Sequence, residues 1–225
     1  FSFFAYEPLR SPFRWMRPMR YLPKFFMNRG RVRHHLSKWV GRLLGYTGYF
    51  QLYTMPFEHL PLFDYTEKRD IYQPGGLNGG VPTIFDQLRA RDRPFYLSDW
   101  RRSETDNLAA LHRDIDRGEI DFAYLYLAHM DGILHRDGTK ADTVPEKIRW
   151  YDEQLRGVLQ RAEAKYDDVK LHVFSDHGMT DVDRLLPLIS HVEETGLRFG
   201  EDYVAVYDST MARFWFLRPS ARERI

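Results

Sequence analysis

The chain has 225 residues, no cysteine, 33 Lys+Arg against 32 Asp+Glu, and is 43% hydrophobic and 16% aromatic. That much apolar and aromatic matter supports a sizeable core and excludes a disordered chain. The missing cysteines exclude a disulfide framework, a Cys-ligated zinc site and a Cys nucleophile. The formal charge of +1 hides an asymmetry, because residues 1–44 hold ten basic residues and one acid, leaving −8 on the remaining 181.

Residues 1–63 mix Arg, Phe, Trp, Tyr, Met and Pro without a strict period. Within them, Arg31 to Tyr46 predicts a helix with Val32, Leu36, Val40 and Leu43 on one face and Arg33, Lys38 and Arg42 around it. The leading reading is an amphipathic helix packed on the main domain. The alternative is a basic, aromatic face over residues 1–44 that touches an anionic surface. Nucleic acid is disfavoured as a partner, since no known reading module is visible.

Pro74 to Gly80 has four glycines in its last six residues and predicts a loop. The division drawn from this is a basic, aromatic-rich arm with its Gly-rich loop over 1–80, and an α/β core over 81–225. After the loop, helix and strand alternate. A helix starts at Pro82, a short strand covers Pro94 to Leu97, and a helix covers Ser103 to Gly118. Ile120 to Leu127 reads as a strand buried on both faces, because polar alternation is missing. Its apolar stretch from Phe122 to Ala128 is the longest in the chain at seven residues, against roughly 18 for a membrane-spanning helix. A long helix is predicted from Val144 to Lys165 and a second buried strand from Val169 to Phe174. A helix from Arg184 to Thr195 and strands at Tyr203–Tyr207 and Ala212–Leu217 complete the chain. Strand, long helix, strand is the pattern of a parallel sheet. The expected fold is a doubly wound, mostly parallel α/β sheet with helices on both faces.

In such sheets functional groups gather in loops beyond the carboxyl ends of the strands. Two stretches stand out. Ile120–Leu127 runs into A-H-M-D-G-I-L-H, with Asp131 and His135 four apart. Lys170–Phe174 runs into S-D-H-G-M-T, with Asp176 and His177 adjacent. Carboxylate plus imidazole suits zinc, manganese or iron better than calcium. A buried strand ending in a consecutive carboxylate and imidazole is costly unless something binds them. His129 reads as a core imidazole bonded to backbone, with an outer partner that orients Asp131 as the alternative, and His34, His35 and His59 read as surface residues. Arg213 is read as either a structural ion pair or a phosphate contact. Ser98 and Thr139 lack an adjacent base, and Ser175, which precedes the Asp-His pair, is read as helping to position it; none is read as the nucleophile.

F-S-D-H-G-M, preceded by D-G-I-L-H-R-D-G and R-W-Y-D-E-Q-L, resembles the type I phosphodiesterase/nucleotide pyrophosphatase branch of the alkaline phosphatase superfamily. The resemblance runs from about Thr83 to Leu217 and takes in T-I-F-D-Q-L and D-S-T-M-A-R-F-W-F. It implies an alkaline phosphatase-like fold and two divalent metal ions, zinc first and manganese second. Asp131 and His135 would ligate one metal, and Asp176 and His177 the other. Leu134 stands where the family often has Gly. The resemblance also implies a small phosphate-ester or nucleotide-like substrate, in-line attack by a Thr or Ser hydroxyl, and a phospho-enzyme that water hydrolyses. That nucleophile and the remaining ligands are expected upstream and downstream, so the sequence reads as the central piece of a longer chain. Rival expectations are a sulfatase, phosphonate hydrolase or phosphomutase of the same superfamily, and a non-catalytic binding module.

Overall fold

The computed structural model describes residues 4–21, 29–48, 55, 58–65, 68–77, 80–207 and 211–225. It is a mixed α/β structure. Its elements are β1 (Phe4–Tyr6), α1 (Gly30–Leu43), β2 (Phe63–Tyr65), α2 (Ile84–Ala90), β3 (Phe95–Leu97), α3 (Glu104–Arg117), β4 (Phe122–Tyr124), α4 (His129–Asp137), α5 (Thr143–Glu163), α6 (Leu188–Glu194), β5 (Tyr203–Tyr207), β6 (Ala212–Phe216) and α7 (Pro219–Arg222). The chain divides into two compact units, Phe1–Asp86 with Leu186–Ile225, and Gln87–Leu185.

In the first unit the aromatic N-terminal stretch builds a core. Antiparallel β1 and β2 pair Phe4 with Tyr65 and Tyr6 with Phe63. Phe63, Tyr65 and Leu60 are at most 1% exposed. Phe4 meets Phe63 and Tyr65 edge-on, with centroids 5.9 and 5.6 Å apart, the arrangement that ring quadrupoles favour. The antiparallel hairpin β5–β6 adds Val204 to this cluster and packs Trp215 against it. From α1 the cluster takes Val40, while Ser37 and Gly41 are buried beside it. Trp39 and Leu43 stay exposed, as do Arg31, Lys38 and Arg42. The predicted helix thus packs by one face only. His59, expected at the surface, lies against the Phe199 ring with centroids 4.0 Å apart and is half-buried. An imidazole beside an aromatic ring shields apolar surface that an exposed one would leave wet. Arg213 sits over the Trp215 ring, 5.9 Å from its centroid. The Gly-rich segment is a succession of turns and bends through Leu77, and Asn78 and Gly79 fall outside the described residues.

In the second unit, parallel β3 and β4 pair Phe95 with Phe122 and Leu97 with Tyr124. Tyr96, Leu111, Ile115 and Ala162 form the core between this pair and helices α3 and α5. The signals that frame α3 act as their chemistry dictates. Ser103 caps its start by accepting the Asp106 N–H at 3.1 Å, and Gly118 ends it at φ 73°, a left-handed conformation that suits glycine.

Three expectations are corrected here. The predicted doubly buried strand is three residues long, with Phe122 and Tyr124 half-buried and Ala123 exposed. Among the described residues its pair is β3 and its helical cover comes from one core cluster, which leaves a wet face. Val169 to Phe174 forms no strand, and Leu171, Val173 and Phe174 are exposed. An extended segment gains ladder bonds only from a neighbour, and among the described residues none pairs with it. Finally, the stretch carrying Asp131 and His135 is a helix and not a loop. Among the described residues, no helix is long and apolar enough to cross a membrane.

Candidate active site

The exits of β3 and β4 are fixed by side chains. Ser98 N–H donates to the Tyr124 carbonyl at 3.0 Å, and buried Ser98 Oγ accepts the Tyr126 N–H at 2.8 Å. Asn107 on α3 accepts the Asp99 N–H at 3.0 Å and donates back to the Asp99 carbonyl at 2.9 Å. The chain therefore leaves the sheet in a defined direction and turns directly into α4.

On α4, Asp131 and His135 are one turn apart and share a face. Asp131 Oδ1 lies 3.5 Å from His135 Nε2, and the two side chains are 52% and 64% exposed. An acid in the first turn and a histidine in the last are also what a helix dipole favours, so local structure and metal chemistry ask for the same pattern.

Asp176 and His177 lie on the irregular chain after Ser175. Asp176 Oδ1 accepts the His177 N–H at 3.0 Å, and Oδ2 lies 3.6 Å from His177 Nε2. His177 Nδ1 donates to the Gly178 carbonyl at 3.0 Å. That carbonyl, then the charges of Asp176 and Asp131, hold the imidazole above its usual range. Tyr126 is pushed up as well, by burial first and then by Asp176, Tyr124 and Asp131. The carboxylates of both stretches contribute to these two shifts, which is one link between the stretches. A second link is direct: Asp181 accepts Thr139 N–H at 2.8 Å and Thr139 O–H at 2.7 Å, tying the loop after α4 to the chain beyond His177.

The donors suit a zinc-type ion in kind. Each pair offers a carboxylate oxygen and an imidazole nitrogen. At His177, Nδ1 donates to a backbone carbonyl, the usual outer arrangement of a metal-bound histidine, and Nε2 faces Asp176 Oδ2 at 3.6 Å. In number they are incomplete. Among the described residues no group of three or more His, Asp or Glu is arranged to hold a metal.

Other residues took places that composition did not reveal. His129, expected in the core, is exposed, because it opens α4 and its backbone N–H is what bonds. Asp137 accepts Arg136 through both oxygens, at 2.7 and 2.8 Å, and the Thr143 hydroxyl at 2.8 Å; these bonds hold it down at about 2. An open groove of about 340 Å³ is lined by His129, Ile133, Arg136, Lys147 and Trp150. Those α4 residues recur at four and three, on the side of the helix away from Asp131 and His135.

Residues 33–223 match the family described as type I phosphodiesterase / nucleotide pyrophosphatase. The chain belongs to that family. Comparison with curated proteins and with solved structures gives no match. Family membership makes this type I phosphodiesterase relative a phosphodiesterase- or pyrophosphatase-like hydrolase at the level of the family, and metal dependence is general there. The matched span includes Asp131, His135, Asp176 and His177.

Glu104 is the residue that sequence reasoning passed over in this phosphodiesterase-family chain. Its carboxylate accepts Lys147 Nζ at 2.6 Å, Tyr151 O–H at 2.7 Å and the His129 N–H at 2.8 Å. Burial alone would raise its pKa, but these bonds outweigh burial and lower it. A carboxylate lowered in the folded state contributes stability above its unfolded pKa of about 4 and loses it as pH falls through the folded value. Urea unfolding at pH 7 is therefore expected to show Glu104→Gln clearly less stable than the parent. The gap closes as pH falls from about 4 through the lowered folded value, where the parent carboxylate takes up its proton.

Proposed function

We propose that the chain carries part of the catalytic centre of a metal-dependent hydrolase of phosphodiester or phosphoanhydride bonds, acting on a small phosphate-ester or nucleotide-like substrate. The observations that carry this reading are the two Asp/His pairs, with carboxylate and imidazole 3.5 and 3.6 Å apart, and the Thr139–Asp181 link between their stretches, within a span that matches the family. Asp131 and His135 would hold one divalent ion, and Asp176 and His177 the other, zinc first and manganese second. Bound there, the ions would supply Lewis-acid charge for the phosphoryl oxygens. The reaction passes through a phosphoryl group carried on a Thr or Ser hydroxyl, which the four donors do not include. The fold that goes with this reading is a doubly wound, alkaline phosphatase-like sheet; among the described residues it is supported by one parallel pair, β3–β4, and the strand expected at Val169 to Phe174 does not form.

The chain's own residues have simpler tasks. Asp131 and Asp176 supply negative charge, and His135 and His177 supply neutral nitrogen when deprotonated. The Gly178 carbonyl orients the His177 ring, and the Thr139–Asp181 link keeps the two stretches together.

The test is a substrate panel on the native protein, comparing nitrophenyl phosphodiester, phosphomonoester and sulfate ester before chelation, after chelation, and after zinc or manganese is restored. Diester hydrolysis lost on chelation and restored by metal is the expected result. Preference for the sulfate ester would assign the superfamily's sulfatase chemistry instead, and no hydrolysis of any ester would support a binding module.

A further inference from the structure

We propose that Glu104 is a positioning residue for the Asp131–His135 half of the site, acting as a remote cap on α4 with Tyr151 as its relay. The role rests on the reading of Asp131 and His135 as metal ligands.

The first N–H groups of any helix need acceptors from outside it. The residue before α4, Ala128, has no side chain that can serve. The acceptors come from other helices. His129 N–H donates to Glu104 Oε1 at 2.8 Å, and Met130 N–H donates to the Tyr151 phenol oxygen at 3.2 Å. The same phenol donates its proton to Glu104 Oε1 at 2.7 Å. One carboxylate oxygen thus serves the first N–H directly and the second through tyrosine. Lys147 holds the other oxygen at 2.6 Å, and the Glu104 and Lys147 side chains are only 12% and 13% exposed. A negative charge at this end also suits the helix dipole.

The position of this network sets it apart from an ordinary ion pair between α3 and α5. Its last bonds end on the backbone of residues 129 and 130, and Asp131 is the next residue along. Asp131 is therefore aimed from one residue away, and His135 follows it one turn later. Outer partners of this kind typically change metal affinity by about 10- to 100-fold.

Zinc titration of the 225-residue protein, with hydrogen exchange read at the His129 and Met130 amides, tests the proposal. Glu104→Ala is expected to weaken zinc binding about 10-fold and to speed exchange at both amides. Glu104→Gln keeps a carbonyl oxygen as acceptor and is expected to restore most of both. Tyr151→Phe removes one acceptor without removing the ring, and it provides the reading if Glu104→Ala does not fold. Its expected signature is faster exchange at Met130 and a smaller loss of affinity. Leu111→Ala is the structural control, since it loosens α3 packing away from the cap. Zinc affinity unchanged in Glu104→Ala, or in Tyr151→Phe where that variant must serve, overturns the positioning role. So does an equal loss in Leu111→Ala. If the parent does not bind zinc, or binds it equally after Asp131→Ala, the metal reading itself fails and takes this role with it.

Discussion

Asp176→Ala in the native enzyme is expected to lower kcat/KM for a nitrophenyl phosphodiester by at least about 10²- to 10³-fold, the scale of losing one preorganised electrostatic group. The structure makes this variant informative because folding barely depends on the side chain. Asp176 is 75% exposed, and what it touches is the neighbouring His177, through a 3.0 Å bond to that residue's N–H and a 3.6 Å approach to its ring. Removing it subtracts charge and little packing, so the melting temperature should stay within a degree or two of the parent, in line with small effects at exposed positions. Asp176→Asn keeps the shape and the N–H acceptor but loses the charge, and it should fall nearly as far as Ala. If Asn retains parent activity, the carboxylate is a turn-former and the site assignment is wrong.

Phe63→Ala is expected to do the opposite, costing about 3–5 kcal/mol of stability in urea titration. Phe63 is 1% exposed and meets Phe4, Tyr6 and Trp215 edge-on, with ring centroids 5.9, 6.5 and 5.7 Å apart. Its loss leaves a cavity bounded by rigid rings, which relax poorly into the space. Phe63→Leu refills most of the volume and should recover more than half of the loss. A change below 1 kcal/mol for Phe63→Ala would mean that the aromatic cluster contributes little to holding this unit.

These two residues also mark the limits of what could be read from the chain. Asp176 could be singled out as a candidate because a Ser-Asp-His-Gly run after an apolar stretch is chemically odd. Helices α3 and α5 were legible because their apolar residues recur at three and four, and because Ser103 and Gly118 punctuate α3. Phe63 was not legible. Its cluster draws on residues 4–65 together with Val204 and Trp215, and no local period records a core assembled from pieces so far apart. Val169 to Phe174 misled for the converse reason: apolar content marks a segment that could join a sheet, but the pairing is decided by a neighbour. Glu104 escaped because its partners at 129, 147 and 151 are 25 to 47 positions away, and a lone acid at a helix start reads as ordinary capping.

The open stretch around Val173 bears on how the protein behaves in solution. Val173 and Phe174 are 71% and 75% exposed, on irregular backbone that no described strand pairs with. Such a segment is a template for strand pairing between molecules. Self-association therefore competes with folding in proportion to concentration, and dilution should preserve the soluble protein better than cooling, which weakens apolar burial.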